Sequence, residues 1–257
     1  AAEVQRVEDV PVAVRRAIQT ALTPPTGPVF LSLPVDVQTE LAAGLDLSAP
    51  KLPSTRVRPP EDALGEAASL LASAQNPAIL AGSRVTERDA VSELVHVAEL
   101  LGAPVMHESG TTHGRLAFPT DHPLSALGMP LWSPEVRDRL QTHDVILAVG
   151  MDVLRQYIYH EPARAIPEHI KLVQIIGDTQ VGLDELAKRL AASQTDQQRA
   201  SAKERFDRIA AEHAAAREAL HEQIQQQADP RPLTPLTLMN ALARVLPDNI
   251  AVVEEAV

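Results

Sequence analysis

Short, almost wholly apolar runs that end at a glycine or a turn constrain the fold of this chain more than any other feature. Residues 77–82 and 144–150 are two such runs. Runs of this length without polar–apolar alternation are typical of strands buried on both faces of a parallel sheet. Helical segments separate them, and strands joined by helical crossovers form an open, doubly wound parallel sheet. The predicted fold class is therefore α/β.

Four strands of this kind are predicted in the central part of the chain, at residues 77–82, 103–107, 144–150 and 171–176. A helix from Glu61 precedes the first strand. Thr86 is the expected N-cap of the next helix, and Gly102 is its expected left-handed C-cap. Ser133 and Pro134 are expected to open the helix before the third strand, with the serine hydroxyl at the cap.

Further helices and strands flank this central part. Apolar residues recur every fourth position over residues 10–22 and predict an amphipathic helix. The apolar run 29–34 after it predicts a strand that is buried on both faces. A long polar helix near residues 200–227 is expected to be a solvated strut between domains. Thr234 is the expected cap of one more helix, which precedes a terminal strand at 250–253.

Composition excludes several classes of function. The formal net charge of −11 and the pI near 5.3 repel polyphosphate backbones, so no nucleic acid partner is expected. The absence of cysteine excludes disulfides, thiolate nucleophiles and cysteine-based zinc sites, and fits a cytoplasmic chain. No run approaches the ~20 apolar residues of a membrane span, so no membrane partner is expected.

Motifs for metal and hydrolase sites are also missing from the sequence. The nine histidines form no His-x-x-x-His or His-Glu-x-x-His pair, so no metal site is expected within the chain. Ser32, Ser83 and Ser109 lack the Gly-x-Ser-x-Gly setting of a nucleophile elbow. Hydrolase chemistry is therefore not expected.

Several segments, taken in order, resemble the thiamine-diphosphate-dependent decarboxylases and carboligases, near benzoylformate decarboxylase and the acetolactate synthase large subunit. Residues 25–36 are similar to the close of that family's pyrimidine-binding domain. The segments similar to its central, Rossmann-like domain are residues 76–82, 103–105, 118–124 and 143–150. Residues 233–255 are similar to the entry to its diphosphate-binding domain. Together these segments cover nearly the whole chain.

The resemblance implies that the chain is the middle of a larger protein. A helix and a strand near its start have nothing upstream to pack against, and its last residues form a strand-like run. The implied parts are the end of the pyrimidine-binding domain (1–36), a linker (37–60), the central domain (61–192), a polar helix and linker (193–232) and the start of the diphosphate-binding domain (233–257).

The resemblance also implies a parent enzyme that acts on a 2-oxo acid by decarboxylation or carboligation. The thiazolium carbon of thiamine diphosphate would be the nucleophile, and the cofactor would be the electron sink after CO2 leaves. In this family an upstream glutamate activates the cofactor, and a Gly-Asp-Gly…Asn segment holds the Mg2+ on its diphosphate. The chain has neither, so both ligands are expected to bind outside it and the chain alone is expected to be inert. Because the family binds its cofactor between subunits, the parent is expected to be a homodimer or homotetramer.

Two histidines are candidate catalytic residues on the basis of the resemblance. In benzoylformate decarboxylase-like enzymes a histidine in a Phe-Pro-x-x-His-Pro setting faces the active site, and His122 matches that setting. The alternative is that His122 caps a turn before Pro123. His113 lies in the same long segment without predicted secondary structure, and its alternative is a solvated loop position. An imidazole can transfer protons near neutral pH, so either role is chemically possible.

Glu254, Glu255 and Ala256 are candidate cofactor contacts. They end a strand-like run where related chains meet the diphosphate end of thiamine diphosphate. Carboxylates repel phosphate unless a metal or hydrogen-bond donors intervene, so a solvated strand end is the alternative.

Gly82, Ser83 and Arg84 are candidate nucleotide contacts. They follow the first central strand, where relatives approach a flavin or an ADP moiety. The full G-x-G-x-x-G fingerprint is missing, so FAD or ADP is not expected and a tight turn is the alternative. The second function that stays open is a non-catalytic, ADP- or FAD-binding regulatory module.

Overall fold

The computed structural model describes residues 2–23, 26–52, 54–108, 116–126, 128–151, 165–227, 233–247 and 250. It separates into two units, Ala1–Val57 and Arg58–Val257. The border between them falls within the predicted linker 37–60. The finer division of the chain into five parts stays a prediction.

The first unit is a short parallel sheet with helices beside it. Its elements are, in chain order, β1 (Ala2–Glu3), a 3-10 helix (Val7–Asp9), α1 (Val10–Leu22), β2 (Leu31–Ser32) and α2 (Val35–Thr39). The two strands pair in parallel. The buried apolar cluster of this unit is small and consists of Val4, Val7 and Val37.

The predicted strand at 29–34 forms only at Leu31–Ser32, and the prediction that it is buried on both faces is wrong. Both strand residues are half-buried, and Phe30 beside them is 69% exposed. Within this unit β1 and α1 contact the strand, and Leu31 packs against the small apolar cluster.

The second unit contains the predicted doubly wound sheet. Its elements are α3 (Glu61–Ala72), β3 (Ala78–Ala81), α4 (Arg84–Glu87), α5 (Val91–Leu101), β4 (Val105–His107), α6 (Ser133–Leu140), β5 (Val145–Val149), β6 (Lys171–Val173), α7 (Thr179–Ser193), α8 (Asp196–Gln226) and α9 (Pro235–Val245). The strands are all parallel, in the order β4-β3-β5-β6. The α/β class and the four central strands are confirmed.

Alternation along the strands places a separate apolar cluster on each face of this sheet. Ile79 and Ala81 of β3 belong to the larger cluster, together with α3, α5 and α7. Ala78 and Leu80 belong to the smaller cluster, together with α6. The crossover from β3 to β4 therefore lies on one face and the crossover from β4 to β5 on the other. This change of face places the switch point of the sheet between β3 and β5.

Two helix starts differ from the predictions. The helix expected to begin at Thr86 begins at Val91, because Asp89 has a φ of 52° and separates α4 from α5. The Thr86 hydroxyl instead donates to the carbonyl of Leu116, at 2.6 Å. Ser133 is the first residue of α6 and not its N-cap, a one-residue difference within the usual variation of helix ends.

The predicted caps at Gly102 and Thr234 are confirmed. Gly102 ends α5 with a φ of 54°, in the left-handed region that glycine adopts readily. The hydroxyl of Thr234 accepts from the Thr237 N–H at the start of α9. The sixth strand is shorter than predicted, since β6 ends at Val173 and Ile176 is 93% exposed.

Helix α8 is not a solvated strut along its whole length, so this prediction is wrong for its first half. Ala202 is buried, and Phe206 and Ile209 pack against the larger cluster. The guanidinium of Arg205 donates twice to the carbonyl of Leu101, at 3.2 Å from Nε and 2.7 Å from Nη2.

None of the described helices combines the length and the apolar composition that a membrane span requires.

Candidate functional site

The carboxyl ends of β3 and β5 meet at the switch point, where open α/β sheets usually bind their ligands. Gly82 follows β3, and its N–H donates to the carbonyl of Val149 at 2.9 Å. The N–H of Arg84 donates to the carbonyl of Gly150 at 3.1 Å. Main-chain hydrogen bonds therefore join the segment after β3 to the end of β5.

The side chain of Glu108 fills the space above Gly82. A Cβ on Gly82 would lie 2.6 Å from Glu108 Oε2 and 2.6 Å from the Gly150 carbonyl oxygen, so only glycine fits this position. A phosphate approaching here would meet a carboxylate. Ser83 is buried and its side chain does not cap α4, which is a single turn that begins at Arg84. This geometry gives no support to a nucleotide at Gly82, Ser83 and Arg84.

His107 has an unusual environment and was not among the site residues predicted from the sequence. It is the last residue of β4, and both of its ring nitrogens are shielded from solvent without a hydrogen-bond partner among the residues described. Burial lowers the pKa of His107, because the charged imidazolium is less well solvated there. Its position at the end of the predicted strand 103–107 was the available signal, since the carboxyl ends of parallel strands form the ligand edge.

His122 lies at the opposite, amino-terminal end of β4. Its Nδ1 accepts from the N–H of Leu124 at 3.1 Å, and its Nε2 lies 3.4 Å from Glu99 Oε1 near the end of α5. The ring also makes edge contacts with Phe118 and Phe206, at centroid distances of 4.9 and 6.4 Å. These contacts are those of a residue that holds a turn against α5 and α8. A catalytic role for His122 stays a prediction.

The remaining candidates lie outside the described residues. They are His113, Glu254, Glu255 and Ala256. Ser109 also lies outside the described residues. Their proposed roles stay predictions.

The described residues do not fit a site for the Mg2+–diphosphate end of thiamine diphosphate. Within the described part of the chain, no group of three or more acidic or histidine side chains could hold a metal ion. The Gly-Asp pair at Gly177 and Asp178 is engaged in the fold, because Asp178 Oδ1 accepts from the N–H groups of Gln180 and Val181 at the start of α7. This carboxylate is the N-cap of α7.

Comparison with known proteins identifies the family. The family model described as "Thiamine pyrophosphate enzyme, central domain" matches residues 64–193, about half of the chain. The chain belongs to this family. The matched thiamine pyrophosphate enzyme central domain corresponds to α3 through α7, the elements that form the sheet and its larger apolar cluster.

Curated relatives of this central domain include decarboxylases and synthases. Benzoylformate decarboxylase of Pseudomonas aeruginosa is 34% identical over 174 residues, 66% of this chain and 32% of that protein. The acetolactate synthase large subunit of Corynebacterium glutamicum is 35% identical over 150 residues, 55% of this chain and 23% of that protein. The chain thus spans about a quarter to a third of the length of these relatives.

Solved structures agree with this assignment. A thiamin diphosphate-dependent enzyme from Mycobacterium smegmatis superimposes with a TM-score of 0.68 at 31% identity, covering 77% of this chain and 40% of that one. Benzoylformate decarboxylase from Polynucleobacter necessarius superimposes with a TM-score of 0.67 at 32% identity, covering 74% of this chain and 38% of that one. The resemblance to thiamine-diphosphate enzymes is confirmed.

Proposed function

We propose that this chain is the central part of a thiamine-diphosphate-dependent enzyme that decarboxylates or ligates 2-oxo acids. The match of the thiamine pyrophosphate enzyme central domain to residues 64–193 carries this proposal. The names of the relatives, a benzoylformate decarboxylase and an acetolactate synthase large subunit, support this substrate class. The chain lacks the activating glutamate and the Mg2+-binding segment of the family and is inert in isolation.

The groups at the carboxyl edge of the sheet support the proposal that the chain is inert in isolation. Main-chain hydrogen bonds and the Glu108 carboxylate occupy the switch point, and the described residues hold no metal-binding group. The groups that activate thiamine diphosphate and hold Mg2+ lie in other parts of the parent enzyme. When bound, the cofactor supplies the nucleophilic carbon and the electron sink.

The further parts of the proposal concern the whole protein. The parent is a homodimer or homotetramer located in the cytoplasm, and residues 1–36 and 233–257 belong to its flanking catalytic domains. The cysteine-free composition supports the location. His113 and His122 are proposed proton-transfer residues, and Glu254, Glu255 and Ala256 are proposed cofactor contacts.

An assay of CO2 release tests the proposal. The 257-residue chain and the full-length product of its gene would each be supplied with benzoylformate, a second 2-oxo acid of aliphatic character, thiamine diphosphate and Mg2+. We expect release of CO2 from at least one acid by the full-length protein and none by the chain, with a cofactor-free reaction as the control. Decarboxylation by the chain alone would show that it contains the groups placed elsewhere.

The alternative, a regulatory module that binds ADP or FAD, is not favoured because a carboxylate lies above Gly82. Calorimetric titration of the chain with ADP and with FAD separates the two functions. We expect no heat above dilution for either nucleotide. Saturable binding at micromolar concentration would support the regulatory module.

A further inference from the structure

Pro59 occupies a cleft at the carboxyl edge of the sheet. This linker residue is buried, and its ring lies against two glycines at the start of α7. A Cβ on Gly177 would lie 2.6 Å from Pro59 Cγ, and a Cβ on Gly182 would lie 3.3 Å from the same atom. The absence of side chains at Gly177 and Gly182 therefore forms the cradle in which the proline ring rests.

Ion pairs fasten the chain on either side of Pro59. The guanidinium of Arg58 lies 2.9 Å from Glu185 Oε2 in α7 and 2.8 Å from Glu61 Oε2 in α3. Glu61 also pairs with Arg189 of α7. Exposed pairs of this kind contribute little individually, but a connected set holds one geometry better than an isolated pair. The linker is thus fixed across the neighbouring ends of α3 and α7.

The cleft under Pro59 is too small for a ligand while the proline is in place. Its volume is about 80 Å3, whereas ligand pockets usually have ~300–1,000 Å3. Its walls are mostly apolar and are formed by Leu147, Val149, Gly150, Ile175, Leu183 and Leu186. Asp178 lies at one side with its carboxylate already bonded within α7. A small apolar group is therefore the chemistry that the remaining space accommodates, and the proline ring forms one wall of that space.

We propose that Arg58 and Pro59 form a strap that keeps this cleft narrow, with the Pro59 ring as one of its walls. Lifting the strap opens a small apolar site beside β5, β6 and α7. This inference does not depend on which 2-oxo acid the parent enzyme uses.

A double-mutant cycle between Pro59 and Gly177 tests the strap. In Gly177→Ala the new methyl group meets the proline ring and pushes the strap out. We expect amide hydrogen exchange at residues 177–181 to accelerate roughly tenfold, which corresponds to ~1.4 kcal/mol. In a Pro59→Gly background the ring is gone, so the same Gly177→Ala change should alter exchange by less than about twofold. Gly65→Ala is the matched control, because nothing lies within 4 Å of its added Cβ.

Benzene as a probe gives a second measurement on the same variants. Apolar cavities left by a removed side chain can bind benzene. We expect benzene to shift the amide resonances of Val149, Gly150 and Gly177 in Pro59→Gly and to leave them unchanged in the unmodified chain. If Pro59→Gly does not fold, Pro59→Ala, which also lacks the contacting Cγ, replaces it as the background of the cycle.

Two results would overturn the strap. One is an equal effect of Gly177→Ala with and without the Pro59 ring, which would show that the glycine serves another contact. The other is saturable binding of benzene beside Gly177 in the unmodified chain, which would show that the cleft is already open.

Discussion

Gly102 shows how a single residue fixes two elements. Its φ of 54° ends α5 in the left-handed region, and a Cβ at this position would overlap the carbonyl oxygen of Ala202 in α8. The backbone of α8 therefore approaches the end of α5 more closely than any other residue type would allow. Both the conformation and the contact require glycine.

Replacing Gly102 is expected to destabilise the second unit. In Gly102→Ala the left-handed conformation costs ~1–2 kcal/mol, and the overlap with Ala202 adds to this cost by displacing α8. We expect the free energy of unfolding, measured by urea denaturation, to fall by at least ~2 kcal/mol. The control is Gly65→Ala in the interior of α3, where the Cβ meets open space and stability should rise by up to ~1 kcal/mol.

His107 links burial to the dependence of stability on pH. Burial holds the pKa of His107 below its value in the unfolded chain, which is about 6.5. The folded state therefore favours the neutral ring. As the pH falls below the unfolded pKa, the unfolded chain takes up a proton before the folded chain does, and stability decreases. His143 has a pKa lowered mainly by burial and acts in the same direction.

A His107→Phe variant is expected to lose less stability on acidification. Removing this imidazole eliminates its share of the slope, which is at most ~1.4 kcal/mol per pH unit. Urea denaturation at about three pH values between pH 7.5 and pH 5 measures this slope. Met106→Leu, a neighbouring substitution that changes no titratable group, is the control. An unchanged slope in His107→Phe would show that this ring titrates alike in both states.

At the scale of elements, the sequence predicted those strands and helix ends that depend on local sequence signals. The apolar runs before Gly82 and Gly150 identified β3 and β5, and a glycine after the periodic segment identified the end of α5. Contacts between distant segments were not predictable. The packing of α8 depends on the approach of Ala202 to Gly102, and of Phe206 and Ile209 to the larger cluster. Propensity and period contain no information about such tertiary contacts.

In the candidate site, too, local features were predictable from the sequence and tertiary contacts were not. Gly82 was predicted as the residue at the edge of the sheet, because it ends an apolar run. The Glu108 carboxylate above it was not predicted, since only the pairing of β3 with β4 brings the two residues together. His122 matched a family motif, but a motif does not determine which way a ring points. Its contacts with Glu99 and Phe206 arise from α5 and α8.

The N-cap of α7 should contribute measurably to stability. Asp178→Ala removes the acceptor for the Gln180 and Val181 N–H groups, and we expect a loss of ~1 kcal/mol in the free energy of unfolding. Asp178→Asn retains an acceptor and should lose less. The matched control is Asp184→Ala on the exposed side of α7, which breaks only the surface pair with Lys188 and should cost under ~1 kcal/mol. Equal losses at positions 178 and 184 would contradict the capping role.

At the scale of the whole molecule, the two units have very different cores. The first has three buried apolar residues in its cluster, whereas the second has two clusters on either side of a four-stranded sheet. Burial of apolar surface is the main source of folding free energy. The second unit therefore contains most of the stability of the chain.

Removing the first unit should leave the second unit folded. A fragment of residues 58–257, which retains Arg58 and Pro59, is expected to unfold cooperatively in urea within about 1 kcal/mol of the main transition of the full chain. The converse fragment, residues 1–57, is expected to show no cooperative transition, because chains of this size are marginal even with larger cores. Loss of cooperative unfolding in the 58–257 fragment would show that the units depend on each other.

Helix α8 packs against the larger cluster only through its first part. The rest of the helix is therefore a spacer that fixes the rotation of the following chain about the helix axis. Its last residue packed against the larger cluster is Ile209, and the helix continues to Gln226. At ~1.5 Å per residue the part of the helix beyond Ile209 is about 25 Å long. Each residue inserted there would turn everything downstream by about 100° around the helix axis, whereas an insertion of about seven would nearly restore the original direction. The length of this helix therefore sets an angle as well as a distance, and the two cannot be changed independently.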